Sequence, residues 1–256
     1  MSASSKARQR KAARETERKR QQQTILLIGI VVVAVVAVVL VVLAGLPVEA
    51  PVAEDVGAQY AGIARSLSIE GMPQLGASDA PVTIHEYSAF TCPHCADFHD
   101  NQFQQLLNNE IRAGQVRFVF VPVVLGQQSI PANKAAFCAL DQNAFWEMHD
   151  VLFSWQQQFG SAAFSETRIF QGARQLGLDE AAFSACMNNA QTQRRVEAST
   201  NLFSMLAARY PEGEVTGTPT LTFNGEAAEY TPGRRSGGWP IDFIRQRINA
   251  LLQAGG

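Results

Sequence analysis

The chain has 256 residues, of which 46% are hydrophobic and 17% are charged, a composition that suits one globular domain with an apolar segment. Its net charge of -2 conceals an asymmetry. Residues 1–23 hold eight basic and two acidic side chains, and the remaining 233 residues carry a net charge of -8. An acidic body disfavours nucleic acid as a partner, so none is expected.

An uncharged apolar run occupies residues 24–46, which is long enough to cross the roughly 30 Å hydrocarbon core as a helix. The basic flank predicts that 1–23 form a cytoplasmic tail and that the rest is exported. A cleaved signal peptide, ending at Val42-Leu43-Ala44, is the alternative, but the length of the run favours a retained anchor. We therefore expect a single-pass cell-membrane protein with an extracytoplasmic domain.

Residues 47–79 contain several Pro, Gly, Ala and Ser residues and predict a linker and lead-in, with one short helix near 59–67. An α/β domain is predicted over 80–253, with a helical insertion at about 127–212. Its patterns predict, in chain order, a strand at 81–87, a helix around 103–111, a strand at 116–121, helices over 131–210, strands at 220–223 and 227–230, and a helix at 241–252.

The motif Cys92-Pro93-His94-Cys95 lies where the first strand gives way to the first helix of the domain. Unpaired N–H groups and the dipole at a helix N-terminus stabilise a thiolate at Cys92. Cys95 is one turn deeper and can close a disulfide with it. Pro93 suits the first helical turn, and His94 adds a donor or a positive charge beside the sulfur. These features predict a redox-active pair with an oxidising disulfide.

A structural disulfide and a metal site are the alternatives for this motif. A structural disulfide between Cys92 and Cys95 would close too short a loop to stabilise the fold much. A metal site would need four ligands, and beyond these cysteines only His99 has suitable spacing. We therefore expect no metal, and His99 is predicted to be exposed or to cap the helix.

The other two cysteines, Cys138 and Cys186, both fall in the helical segment. In an oxidising compartment they are predicted to form a structural disulfide, with two separate buried thiols as the alternative. Trp146 and Trp155 in the same segment are predicted to be core residues, although a peptide-binding surface near them is an alternative.

These motifs together resemble the DsbA family of thiol–disulfide oxidoreductases, in its membrane-anchored, BdbD-like branch. The resemblance covers about residues 70–253 and implies a thioredoxin fold with an inserted helical domain. It rests on CPHC after a strand, on the long helical insertion, and on the segments 75–83 (LGASDAPVT), 138–139, 145–146, 149–150 and 217–220 (GTPT).

The resemblance implies roles for individual residues. Cys92 matches the exposed nucleophile and Cys95 the buried resolving cysteine. Pro219 matches the cis-proline opposite the disulfide, with an ordinary trans turn proline as the alternative. Thr218 resembles the residue whose backbone pairs with substrate peptide. Glu86 matches a buried acidic residue that exchanges protons with Cys95, with a solvent-facing side chain as the alternative.

The expected function is a dithiol oxidase that introduces disulfides into reduced exported proteins. The resemblance implies reoxidation by a DsbB-like or VKOR-like membrane quinone reductase. No cofactor is expected, because the chain has no nucleotide-binding signature. The alternatives are a disulfide reductase or isomerase of the same fold, and a non-catalytic thiol or copper chaperone.

Overall fold

The computed structural model describes residues 3–44, 48–211, 215, 217–228 and 239–255. The chain divides into two compact units, Met1–Val48 and Glu49–Gly256.

The first unit is the helix α1, Ala3–Ala44. Within it, Arg20–Val39 has a mean hydropathy of 2.6 and is long and apolar enough to cross a membrane. Its β-branched residues would favour a strand in water, but a lone segment in lipid must satisfy its own backbone hydrogen bonds, which only a helix achieves. The predicted end of the apolar segment, at residues 45 and 46, lies outside the described residues.

The second unit is built on a six-stranded sheet with the order β1-β2-β4-β3-β5-β6. Only β3 and β4, among the described strands, pair in parallel; Val82 faces Val116 in their register. The other pairs are antiparallel. The strands are β1 (Arg65–Leu67), β2 (Pro73–Leu75), β3 (Val82–Ser88), β4 (Val116–Pro122), β5 (Thr220–Phe223) and β6 (Glu226–Ala227).

Strand β3 places the functional segment in the centre of the sheet. Alternate side chains are buried along its whole length, and Val82 and Ile84 supply the apolar part of that row. The same alternation buries Glu86 and Ser88 nearest the strand's C-terminal end. A carboxyl group thus lies on the core side of the strand that leads to the CPHC motif.

The expectation of a linker over 47–79 is wrong for its second half. The segment contributes β1 and β2, and β2 pairs with β4 in the main sheet. The predicted short helix is a single 3-10 turn, Ala58–Tyr60, before β1. Tyr60 is 1% exposed. The apolar residues here are too few and too scattered to show a period, yet they complete one edge of the core.

The helix that follows the CPHC motif changes its winding along its length. α2 (Pro93–Phe98) leads into a π-helical stretch, His99–Phe103, then α3 (Gln104–Leu106) and a second π-helical stretch, Leu107–Ile111. Its predicted apolar face is buried, and Gly114, at φ 73°, follows its end.

In the described part of the chain between β4 and β5 there are five α-helices: α4 (Ile130–Leu140), α5 (Phe145–Phe159), α6 (Glu166–Gln175), α7 (Glu180–Met187) and α8 (Ala190–Arg209). Ser165, Asp179 and Asn189 cap three of them with side-chain hydrogen bonds, as predicted for Asp179. Trp146 and Trp155 are 2% and 0% exposed, which confirms them as core residues.

The chain returns to the sheet through β5, a turn at Asn224-Gly225, and β6. Of the predicted strand at 227–230, residues 229 and 230 lie outside the described residues. The final helix, α9 (Ile241–Ala254), buries Ile244 and Ile248 as its apolar period predicts.

Candidate active site

Cys92 is the N-cap residue of α2, with φ −90° and ψ 119°, and Pro93 follows at the first helical position. The Cys92 carbonyl accepts hydrogen bonds from the N–H groups of Cys95, at 3.1 Å, and Ala96, at 3.2 Å. This tight turn holds the two sulfur-bearing residues one helical turn apart. Both are free thiols in the structure.

The two thiols differ sharply in acidity. A hydrogen bond from the Cys95 side chain, with help from the backbone N–H groups of His94 and Cys95, lowers the pKa of Cys92 to about 5. Burial raises the pKa of Cys95 well above its ordinary value, and the adjacent Cys92 sulfur raises it further. At neutral pH Cys92 is therefore a thiolate and Cys95 keeps its proton.

The opposite wall of the site is the segment that enters β5. The Thr218–Pro219 peptide bond is cis. Cys92 Sγ lies 3.3 Å from the Thr218 carbonyl oxygen, and the Trp239 indole N–H donates to the Pro219 carbonyl at 2.9 Å. Pairing of Thr220 with Tyr87 holds this segment against β3, directly before the CPHC loop.

Glu86 lies on β3, opposite Leu221 of β5, and is 1% exposed. Its Oε1 has no hydrogen-bond partner among the described residues. Burial raises its pKa to about 8, and the negative charge of Cys92 contributes in the same direction. The carboxyl is therefore mostly protonated at neutral pH, and it lies close enough to Cys95 to raise the pKa of that thiol as well.

Exposure within the motif departs from one expectation. Cys92, expected to be exposed, is only 9% exposed because the Thr218 carbonyl lies against its sulfur, while Cys95 is 0% exposed. Pro93 and His94, between them, are exposed. An incoming group can thus approach Cys92 from the side of these two residues, and Cys95 is shielded.

The prediction that His99 is exposed or caps the helix is wrong. His99 is 5% exposed, and its ring lies 4.7 Å from that of His149 and 5.1 Å from that of Phe153, centroid to centroid. The continuation of α2 packs against α5, which covers the histidine. Burial lowers the pKa of both histidines to about 3, so both are neutral near pH 7.

Sequence reasoning missed the polar group that accompanies this pair. Asp150 Oδ1 accepts hydrogen bonds from the Tyr60 hydroxyl, at 2.6 Å, and from His149 Nδ1, at 3.0 Å. Gln59 donates to the other carboxylate oxygen. Adjacent His149 and Asp150 in an apolar helix were the available signal, whereas nothing in the sequence pointed to Tyr60.

Cys138 of α4 and Cys186 of α7 form a disulfide, with their Cα atoms 5.7 Å apart. Cys138 is 1% exposed, and its partner is partly buried at the edge of the core. Both lie in the helical segment, and neither belongs to the group formed by Cys92, Cys95, Thr218 and Glu86. The four cysteines of the chain are therefore present as one disulfide and one dithiol.

In this site a strand leads to a CxxC pair at a helix N-terminus, and a cis-proline directly before a second strand faces the pair. The family model for thioredoxin matches residues 68–233. The chain belongs to the thioredoxin family. A relative in Bacillus subtilis, "Disulfide bond formation protein D", is 30% identical over 131 residues, which are 46% of this chain and 59% of the relative.

A Rickettsia conorii protein, whose name provisionally assigns it to the protein-disulfide oxidoreductases, is 25% identical over 179 residues, or 70% of this chain and 60% of that protein. The chain thus spans about three fifths of the length of these curated relatives. With the structural likenesses below, they confirm the predicted resemblance to the DsbA family.

Solved structures confirm the fold class. Oxidised BdbD from Bacillus subtilis superposes with a TM-score of 0.61 at 24% identity, covering 73% of this chain and 96% of that one. Wolbachia pipientis alpha-DsbA1 gives 0.59 at 21% identity, with coverage of 73% and 94%. The predicted thioredoxin fold with an inserted helical domain, preceded by one N-terminal apolar helix, is confirmed.

Proposed function

We propose that this protein is an extracytoplasmic thiol–disulfide oxidoreductase that oxidises dithiols in exported proteins through a Cys92–Cys95 disulfide. The observation that carries the proposal is the difference in acidity within the pair. The pKa of Cys92 is lowered to about 5, whereas that of Cys95 is raised well above its ordinary value. A stabilised thiolate favours the reduced form and makes the disulfide a stronger oxidant.

The reaction begins with the oxidised protein. A substrate thiolate attacks Cys92 Sγ, forms a mixed disulfide with it, and breaks the Cys92–Cys95 bond. Cys95 leaves as a thiolate and takes a proton, for which the protonated Glu86 carboxyl is the buried source. A second substrate thiolate then attacks the substrate sulfur of the mixed disulfide and releases Cys92 as a thiolate. The substrate loses two electrons, and the cysteine pair gains them.

Substrate binding is assigned to the wall formed by Thr218 and Pro219. The Thr218 carbonyl lies 3.3 Å from Cys92 Sγ, so backbone from a peptide bound along this segment would lie beside the reacting sulfur. Pro219 precedes β5 and donates no backbone N–H there. Pro93 and His94 complete the exposed rim on the other side of the sulfur.

The reduced pair needs an electron acceptor. We assign this role to a membrane protein that passes electrons to quinone, of the DsbB-like or VKOR-like type. The apolar helix α1 supports this assignment, since an anchor at residues 24–46 would keep both proteins in one membrane and raise their effective concentration. The basic residues before it favour a cytoplasmic N-terminus, and the Cys138–Cys186 disulfide is consistent with an oxidising compartment.

The decisive experiment measures the reduction potential of the Cys92–Cys95 pair in the purified full chain against glutathione, together with oxidation of a reduced, unfolded test protein. We expect a potential nearer to about −120 mV than to about −270 mV, and stoichiometric oxidation. A potential near the lower value would support a reductase or isomerase instead. Stoichiometric copper on the reduced protein, with no oxidation of the test protein, would support the chaperone alternative.

Location is tested separately in cells. Protease added outside intact cytoplasmic membranes should degrade the domain, and alkaline carbonate should leave the protein in the membrane pellet. A soluble mature protein that begins just after residue 44 would show that a signal peptide is cleaved there.

A further inference from the structure

A buried cluster of metal-ligating groups lies outside the residues used above. His99 belongs to the helix that follows Cys95, and His149 and Asp150 are neighbours in α5. One ligand atom from each residue lies within 4.8 Å of the other two. Asp150 Oδ1 is 3.0 Å from His149 Nδ1 and 3.5 Å from His99 Nε2.

These spacings fit a small divalent cation. Zinc binds imidazole nitrogen and carboxylate oxygen at about 2.0–2.2 Å, so the ligand atoms of a tetrahedral site lie about 3.3–3.5 Å apart. Of the two measured separations, 3.5 Å lies at the upper end of that range and 3.0 Å lies just below it. An ion in this position would need only small side-chain movements to reach all three ligand atoms.

The hydrogen bonding of the cluster also supports a bound cation. His99 is 5% exposed, and its Nδ1 has no hydrogen-bond partner among the described residues. Its Nε2 lies 4.0 Å from Asp100 Oδ1 and 3.5 Å from Asp150 Oδ1. Burying a polar ring without a partner is unfavourable. The contact of 3.5 Å from Nε2 to Asp150 Oδ1 is too long for a good hydrogen bond, so a cation bound at Nε2 would give that nitrogen a stronger partner.

The carboxylate of this cluster is held in place by other residues. The Tyr60 hydroxyl donates to Oδ1 of Asp150, and Gln59 donates to Oδ2. Outer hydrogen bonds of this kind orient a ligating carboxylate in metal sites.

The cluster is also accessible. His99, Asp100 and Asp150 line one cleft, together with Asp55 from the segment that precedes β1. The two additional carboxylates give the mouth of the cleft a negative charge, which attracts cations. The cleft leaves room for water as a fourth ligand.

We infer that His99, His149 and Asp150 bind one divalent transition-metal ion, with Zn²⁺ as the best match to two imidazoles and a carboxylate. The site contains no thiolate and is separate from the Cys92–Cys95 pair. It would connect the helix that begins at the CPHC motif to α5 of the helical insertion. The inference does not depend on the proposed redox function.

The test is calorimetric titration of Zn²⁺ into the full chain in detergent, with Cys92 and Cys95 oxidised so that their thiols cannot bind the metal. We expect one ion per chain. His99→Gln should weaken the affinity at least tenfold, whereas His85→Gln should leave it unchanged. His85 is a suitable control because it too has an unpartnered ring nitrogen, and it belongs to no metal-ligating cluster among the residues that the structure describes.

Co²⁺ provides a second measurement that needs no variant. The Co²⁺ form of the oxidised protein should show ligand-field bands without thiolate charge transfer, and paramagnetically shifted signals from two imidazoles. Absence of stoichiometric uptake, unchanged Zn²⁺ affinity in His99→Gln, or shifted signals from His85 or His94 would each overturn the inference.

Discussion

The two cysteine pairs of this chain have opposite environments. Cys92 and Cys95 are three positions apart in the motif, at the N-terminus of α2, and both are thiols. Cys138 and Cys186 are 48 residues apart, on α4 and α7, and are joined. The first pair closes a loop too short to restrict the unfolded chain much, whereas the second closes a long one.

Position in the fold, more than compartment, determines what each of these cysteines does. Cys92 has helix N–H groups, a neighbouring thiol and the Thr218 carbonyl around its sulfur, so its charge state is tuned. Cys138 is 1% exposed within a helical core, and its sulfur is bonded to that of Cys186.

Cys92→Ser should lower the rate of dithiol oxidation by at least about 10³-fold, because the hydroxyl cannot form the mixed disulfide. The double variant Cys138→Ser/Cys186→Ser, assayed at a temperature where it is folded, should retain the rate within about threefold. The measurement is oxidation of a reduced test peptide. Comparable losses in both variants would show that the two pairs are not functionally distinct.

Alkylation of the reduced protein at pH 7 should modify Cys92 at least about 100 times faster than Cys95, since only Cys92 is a thiolate there. Its rate should rise with pH around a midpoint near the lowered pKa of about 5 and then level off. Peptide mapping after timed quenching with acid resolves the two sites. A midpoint near 9 at Cys92 would contradict the proposed stabilisation of its thiolate.

Removing the structural pair should cost stability. Cys138→Ser/Cys186→Ser should lower the free energy of unfolding by about 2–4 kcal/mol, because the unfolded chain regains the entropy of a long open loop. Denaturant titration of the wild type and the variant under non-reducing conditions measures the difference. Equal stabilities would show that the bond between α4 and α7 is dispensable.

Glu86 should make stability depend on pH. Its pKa is raised to about 8 in the folded state, so the folded protein holds a proton that the unfolded chain releases above its ordinary pKa of 4.5. Stability should therefore fall as pH rises between these values, by about 1.4 kcal/mol per unit for this one group.

In the oxidised protein, where Cys92 does not titrate, Glu86→Gln should remove that slope between about pH 5.5 and 7, and unfolding at several pH values measures it. The exposed Glu180, whose pKa is lowered by Arg174, provides a control: Glu180→Gln should leave the slope in place. A slope that survives in Glu86→Gln would assign the proton to another buried group.

The sequence by itself determined the features that depend on local pattern. A charge-free run of 23 residues predicts a helix by length alone. α1 contains residues 24–44 of this run, which are the part of it that the structure describes. The apolar alternation before CPHC predicts β3, and the period of residues 241–252 predicts α9. The motif also carries its own chemistry, because a cysteine at a helix N-terminus is stabilised as a thiolate wherever that helix packs.

Only the tertiary structure decided which distant residues meet. Residues 65–67 and 73–75 are too short to show a strand period, and pairing with β4 made them strands. His99 looked exposed because one helix cannot reveal what covers it, and α5 buried it beside His149 and Asp150. Glu86 alternates as any strand residue does; its burial, and with it the raised pKa, comes from the elements that close over β3.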